Sequence, residues 1–197
     1  MPFVAMNLES CRKKLEELEK AREELLILLR DLRILSSKAI IAIHSSRIEE
    51  AEENLKKAST LLKKIKEFQE FPEIYAAHDS MQEFVEAMFL LKIVKKEFNF
   101  SLDFEVLESA FVTGLADLVG ELRRLALSKM IRGEIAEAEN LLSTMERIYN
   151  ELIPFASFPD KLVPNLRAKL DVARVALERT KSDLIVAKLY AVLDRDR

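Results

Sequence analysis

Turn-forming residues are scarce in this chain. Its 197 residues include three Gly and five Pro, too few for the tight turns of a sheet protein, which excludes a β fold. The single cysteine, Cys11, excludes an intramolecular disulfide and a cysteine-based zinc site. No stretch has the length of a membrane span, and the N-terminus lacks the basic-then-apolar order of a secretory signal, so a cytoplasmic location is expected. Asn99-Phe100-Ser101 spells a glycosylation sequon, but nothing else points to secretion. Neither charge sign dominates: 31 Lys and Arg face 34 Asp and Glu, for a net charge of −3. That balance excludes a polybasic tail, and a nucleic-acid partner would need a local basic face. A Gly-rich phosphate loop and any Ser/His/Asp or Cys/His pattern are also missing.

What is present favours helix. Ala, Leu, Glu, Lys and Arg dominate, hydrophobic residues make up 49% of the chain and charged ones 33%. The expectation is an all-α protein, a single domain over residues 1–197 with a sizeable core. A first helix is expected from about Asn7 to the early forties. Along it Leu8, Cys11, Leu15, Leu18, Leu25, Leu29, Leu32, Ala39 and Ile43 follow the three- and four-residue steps of a packed seam. Arg22 and Ser36 interrupt that seam. Arg22 either snorkels or pairs with an acid on a neighbouring helix, or it faces a polar cavity or RNA.

Ser46-Arg47-Ile48-Glu49 reads as a capping box opening a second helix that runs to about Glu70. Pro72 suits the first turn of a third helix reaching about Phe98, and Asp103 the cap of a fourth that ends at Ile131, just before Gly133. A fifth helix spans about 134–153 and stops at Pro154. A Pro-punctuated loop holding one short helical turn then leads to a last helix ending near Leu193. Six or seven helices result, with no internal repeat. Residues 110–119 carry one charge, Asp117, and residues 87–91 carry none. Helices apolar on more than one side need more than one covering surface, so a homo-oligomer is expected.

Two acid pairs stand in this apolar context. Glu83 and Glu86 are three residues apart, Asp117 and Glu121 four apart, so each pair shares a helix face. Like charges at these spacings repel, and burying them requires compensation. Arginine partners such as Arg123 and Arg124 could supply it, and so could a divalent cation. Spacing leaves the two equal. Two helices that each present two acids make a hard-oxygen donor set suited to Mg²⁺ or Mn²⁺, ions that can promote phosphodiester hydrolysis. A ferritin-like di-iron site would want Glu-x-x-His, and the motif here is Glu-x-x-Glu. His44 reads as a helix-end residue and His78 as a surface histidine. Arg22, Arg30 and Arg33 fall near one face of the first helix, with Lys38 and Arg47 beyond. They are either solvated and paired with acids or in contact with phosphates.

Residues 109–124, with Gly114-x-x-Asp117-x-x-Gly120-Glu121-Leu122 at their centre, resemble the central motif of the translin/TRAX family in the form of its TRAX branch. Residues 130–152 and 158–174 also look like archaeal members, and residues 22–44 resemble the family's first helix, so the resemblance spans nearly the whole chain. It implies a seven-helix all-α fold assembling into a hollow oligomer, an octamer, and a Mg²⁺- or Mn²⁺-dependent endoribonuclease acting on single-stranded RNA. The family's catalytic acids fall on Glu83, Glu86 and Asp117, which would also hold the metal. Glu121 belongs to the same motif and is carried as a supporting ligand. Arg22, Arg30, Arg33 and Lys38 would position the strand. Phe84 stands where the motif often has Tyr, a departure that removes a hydroxyl and no acid. The chain looks shorter than eukaryotic TRAX, which implies a homomeric assembly without a separate translin subunit. The rival expectation is a translin-like oligomer that binds single-stranded RNA or DNA without turnover. A purely structural helical scaffold, which would show no salt-sensitive RNA binding, is the third.

Overall fold

A computed structural model of the chain describes residues 8–71, 74–97 and 105–193. They form six α-helices: α1 Leu8–His44, α2 Ile48–Ile65, α3 His78–Val94, α4 Glu108–Ile131, α5 Ile135–Leu152 and α6 Leu166–Leu193. Short 3-10 turns occupy Lys66–Phe68, Ile74–Ala77 and Ile153–Ser157, and there is no strand among the described residues. The all-α expectation therefore holds. No helix among the described residues is long and apolar enough to cross a membrane. Pro72, Asp103 and the sequon at 99–101, like the Phe98 end of the expected third helix, lie outside the described residues.

Three helices end in the same way. After α1, α3 and α4 a residue with left-handed backbone, Ser46 (φ 59°), Lys96 (φ 62°) or Gly133 (φ 75°), reverses the chain. In each case the following N–H reaches back five residues: Arg47 to the Ala42 carbonyl at 2.9 Å, Glu97 to Lys92 at 2.8 Å and Glu134 to Lys129 at 2.9 Å. This double-bonded stop satisfies the last carbonyls of each helix. It also corrects one expectation. Ser46 terminates α1 and does not cap α2, whose N-cap residue is Arg47 without a side-chain cap bond. The third α-helix likewise starts at His78, after a separate 3-10 turn.

α3 and α4 pack on each other at the centre of the bundle. α1 lies on α2 and α3, and α4 also contacts α5 and α6. Phe84 and Phe89 of α3 and Leu118 and Leu122 of α4 are wholly buried, each contributing roughly 1.5–3 kcal/mol by leaving water. Phe89 meets Phe111 edge-on, with ring centroids 5.7 Å apart. Gly114 sets how closely the two helices approach: a Cβ there would lie 2.6 Å from the Gln82 carbonyl oxygen and 2.9 Å from the Val85 Cβ.

The apolar stretches that seemed to call for a second subunit are covered within the protomer. Ala87, Phe89 and Leu90 are buried, as are Ala110, Ala116, Leu118 and Val119, because α1, α5 and α6 enclose the α3–α4 pair. The uncovered apolar faces lie elsewhere. The α1 seam is buried only from Leu25 onward, and Leu8 and Leu15 are both 65% exposed. Ile27, Ile34 and Ile41 form an exposed stripe at seven-residue steps, and Val172, Val175, Val186, Leu189 and Leu193 form another on α6.

Candidate metal centre and nucleic-acid face

The close approach at Gly114 brings the two acid pairs together. Asp117 lies one turn beyond Gly114, and Gln82 reaches it directly, its Nε2 donating to Oδ2 at 2.7 Å. Glu83 and Glu86 follow on the same stretch of α3. α1 supplies a third wall through Arg33, Ser37 and His44, which share a face because they are spaced four and seven residues apart. α6 supplies the fourth through Lys169.

Each of three acids has its own partner, a cation for Glu83 and for Asp117 and an imidazole for Glu121. Arg33 Nε donates to Glu83 Oε2 at 3.0 Å, and the Ser37 hydroxyl donates to the other oxygen of the same carboxylate. Lys169 Nζ contacts both Asp117 oxygens, at 2.9 and 2.7 Å. His44 Nε2 pairs with Glu121, and that hydrogen bond is the main force holding the Glu121 carboxyl below the usual carboxylate range. Of the two arginines beside Glu121 in sequence, Arg124 reaches it only at 3.7 Å. Arg123 turns to α6, where it bonds Thr180 at 2.9 Å and Asp183 at 2.9 Å.

Glu86 differs from the others. No hydrogen bond or ion pair reaches its side chain among the described residues. Burial, and then the negative charges of Asp117, Glu121 and Glu83, push its carboxyl up to about 8, with Lys169 opposing them. Three of the acids turn to separate partners, and no group of three or more acidic, histidine or cysteine side chains among the described residues is gathered closely enough to hold a metal ion.

A cavity of about 400 Å³ opens onto this cluster, lined by Arg33, His78, Gln82, Glu83, Glu86 and Lys169 among others. Of the four basic residues expected to meet nucleic acid, only Arg33 reaches it. Arg22, Arg30 and Lys38 are exposed on α1 outside its lining. His78 is buried and not superficial, 3.1 Å from Asp79 and 3.4 Å from the Thr113 hydroxyl. His44 is a helix-end residue as expected, and it also belongs to the acid cluster.

Residues 20–182 match the Translin family. The chain belongs to that family. This translin-family chain is 36% identical over 172 residues to an uncharacterized protein of Methanocaldococcus jannaschii, a match covering 85% of this chain and 76% of that protein. Among solved structures it is similar to AfC3PO, at 55% identity and a TM-score of 0.91 over 95% of this chain and all of that one. The AfC3PO–duplex RNA complex is matched at 54% identity and a TM-score of 0.91, with 95% of this chain and 99% of that one covered. Apo-NeC3PO shares the fold, at 21% identity and a TM-score of 0.79 over 94% of this chain and 100% of that one.

Lys169, Gln82 and Ser37 escaped the sequence reasoning. Lys169 stands 52 residues from Asp117 in a different helix, and no local pattern links them. The α1 wall was more accessible. Arg22, Arg33 and His44 recur every eleven residues, which keeps them on one line of a helix.

Proposed function

We propose that the chain is an endoribonuclease of the TRAX-like branch, dependent on Mg²⁺ or Mn²⁺ and acting within a hollow homo-oligomer, an octamer. The observation that carries the reading is Glu86, a half-buried carboxylate at the cavity with three other acids around it and no bonded partner among the described residues. Carboxylate oxygens are the donors a hard divalent cation prefers, and Glu83 and Asp117 would leave their ion pairs with Arg33 and Lys169 to reach it. Glu83, Glu86 and Asp117 would hold it, with Glu121 in support. The chemistry supplied by such a bound cation is Lewis acidity toward a phosphodiester and acidification of the attacking water.

The chain's own residues do the positioning. Gln82 orients Asp117, Ser37 fixes one oxygen of Glu83, and His44 holds Glu121. Arg33, at the cavity wall, places a guanidinium where a phosphate would enter. Arg22, Arg30 and Lys38 would guide the strand from the exposed part of α1. The uncovered apolar faces of α1 and α6 are the surfaces available to further copies of the chain. The likeness to AfC3PO, solved with duplex RNA, supports RNA as the substrate, and single-stranded RNA is the form proposed for cleavage.

The test is cleavage of single-stranded and duplex RNA with Mg²⁺ or Mn²⁺ by wild type and by Glu83→Ala, Glu86→Ala and Asp117→Ala. Each variant should retain its helical circular-dichroism spectrum and lose at least about a hundredfold in rate, the scale at which charged transition-state groups act. Variants that fold and cut like wild type would refute the assignment. The pairing of Glu83 and Asp117 with Arg33 and Lys169 favours a second reading, a translin-like binder of RNA or single-stranded DNA without turnover. That reading predicts salt-sensitive binding and no cleavage in either metal.

A further inference from the structure

Lys169 sits where helix electrostatics do not favour it. It lies in the first turn of α6, its N–H bonded to the Asn165 carbonyl at 3.1 Å, and that first turn holds no acidic residue. The N-terminus of a helix carries partial positive charge and prefers anions. The side chain is also only 23% exposed, although lysine normally keeps its ammonium in water. Asp117 compensates by accepting from the ammonium through both oxygens. Beyond it, the same ammonium lines the cavity that Arg33 lines from α1. These two helices reach the cluster from different sides, α1 through α3 and α6 through α4.

A divalent cation that took both Asp117 oxygens would compete with Lys169 for them. Coordination through both oxygens displaces the ammonium, which then stands in the half-buried cavity with Asp117 no longer its partner and with the neighbouring acids turned to the cation. A displaced, poorly solvated ammonium needs an anion, and the anion that RNA brings is a phosphodiester oxygen. We propose that Lys169 is a substrate ligand, exchanging Asp117 for a phosphate of the bound strand when the cation takes Asp117. This rests on the reading of the acid cluster as a cation site. It adds that cation and RNA bind cooperatively, because each relieves a cost that the other would otherwise bear. Such coupling is reciprocal: RNA raises cation affinity by the same factor by which the cation raises RNA affinity.

The experiment is calorimetric titration of the full-length assembly with Mn²⁺, alone and with a cleavage-resistant phosphorothioate oligonucleotide, for wild type, Lys169→Gln and Lys169→Arg. In wild type the oligonucleotide should raise Mn²⁺ affinity about tenfold, the scale of one charge-assisted hydrogen bond. Lys169→Gln should bind Mn²⁺ more tightly than wild type without the oligonucleotide and lose the coupling to within about twofold. Its log–log salt slope for oligonucleotide binding in Mn²⁺ should fall by about 0.7, one single-strand phosphate contact. Lys169→Arg should retain the coupling, since the cationic donor remains. Wild-type coupling absent, or coupling and salt slope unchanged in Lys169→Gln, would make Lys169 a mere counter-ion of Asp117 and overturn the inference alone. Failure of wild type to bind Mn²⁺ at all would overturn both the inference and the endoribonuclease reading.

Discussion

Glu86→Gln should make the protein more stable in alkaline solution while abolishing RNA cleavage. The folded-state value of Glu86, about 8, lies above its ordinary value of 4.5. Between those pH values the folded chain keeps a proton that the unfolded chain has released. Stability therefore falls as pH rises through this window, with no penalty below it and the full penalty above it. At 1.36 kcal/mol per pH unit, the window from 4.5 to about 8 sets a ceiling of about 4–5 kcal/mol. Turning of the carboxylate toward cavity water absorbs part of this, leaving about 2 kcal/mol. Glutamine keeps the shape and removes the ionisation. The gain of Glu86→Gln over wild type should thus grow from near zero at pH ~5 to about 2 kcal/mol at pH ~9, roughly 4–8 °C in Tm for a chain of this size. Differential scanning calorimetry across that range with a chelator present reads it directly. Any fixed cost of burying the amide shifts all points equally and drops out of the comparison. Parallel pH curves for the two proteins would refute the reasoning.

Other outcomes follow from the packing. Gly114→Ala forces a methyl group against the Gln82 carbonyl and should cost about 1–3 kcal/mol, read as a lower Tm. Gly120→Ala meets nothing within 4 Å and should instead stabilise by about 0.5–1 kcal/mol. Arg123→Met removes the bridge from α4 to Thr180 and Asp183 and should cost about 1–2 kcal/mol in urea denaturation. Leu189→Glu places a charge on the uncovered α6 face and should shift sedimentation velocity toward smaller species without loss of helicity.

Much of the helical architecture was legible because periodicity and helix-stopping residues agree locally. Gly133 marks the end of α4 as its sequence position indicates. Ser46 misled because the same residue types serve a helix start and, with left-handed backbone, a helix stop. The two acid pairs could be seen from their spacing, whereas their partners could not. Arg123 and Arg124 are adjacent to Glu121 in sequence, yet the cation on Glu83 comes from α1, 50 residues away, and that on Asp117 from α6. Such pairings depend on how the helices are docked, which Gly114 controls through a steric limit that no residue pattern expresses. The expected need for subunit cover of α3 and α4 failed for the same reason. Apolar helices in the middle of a chain can be enclosed by its own ends.

α1 is a single rod of 37 residues without Gly or Pro, about 55 Å long at 1.5 Å per residue. Its uncovered end and its site-facing end are therefore parts of one stiff lever. Loading near Leu15 acts on Arg33 at a distance of about 27 Å, so a tilt of about 5° there moves the guanidinium by about 2 Å, enough to break a hydrogen bond. Within the rod the Ser36 hydroxyl bonds back to the Leu32 carbonyl at 2.9 Å, an arrangement that eases helix bending. Ser36 adjoins Ser37, the residue holding Glu83. Mechanical strain entering α1 near Leu15 would thus be absorbed beside the acid cluster.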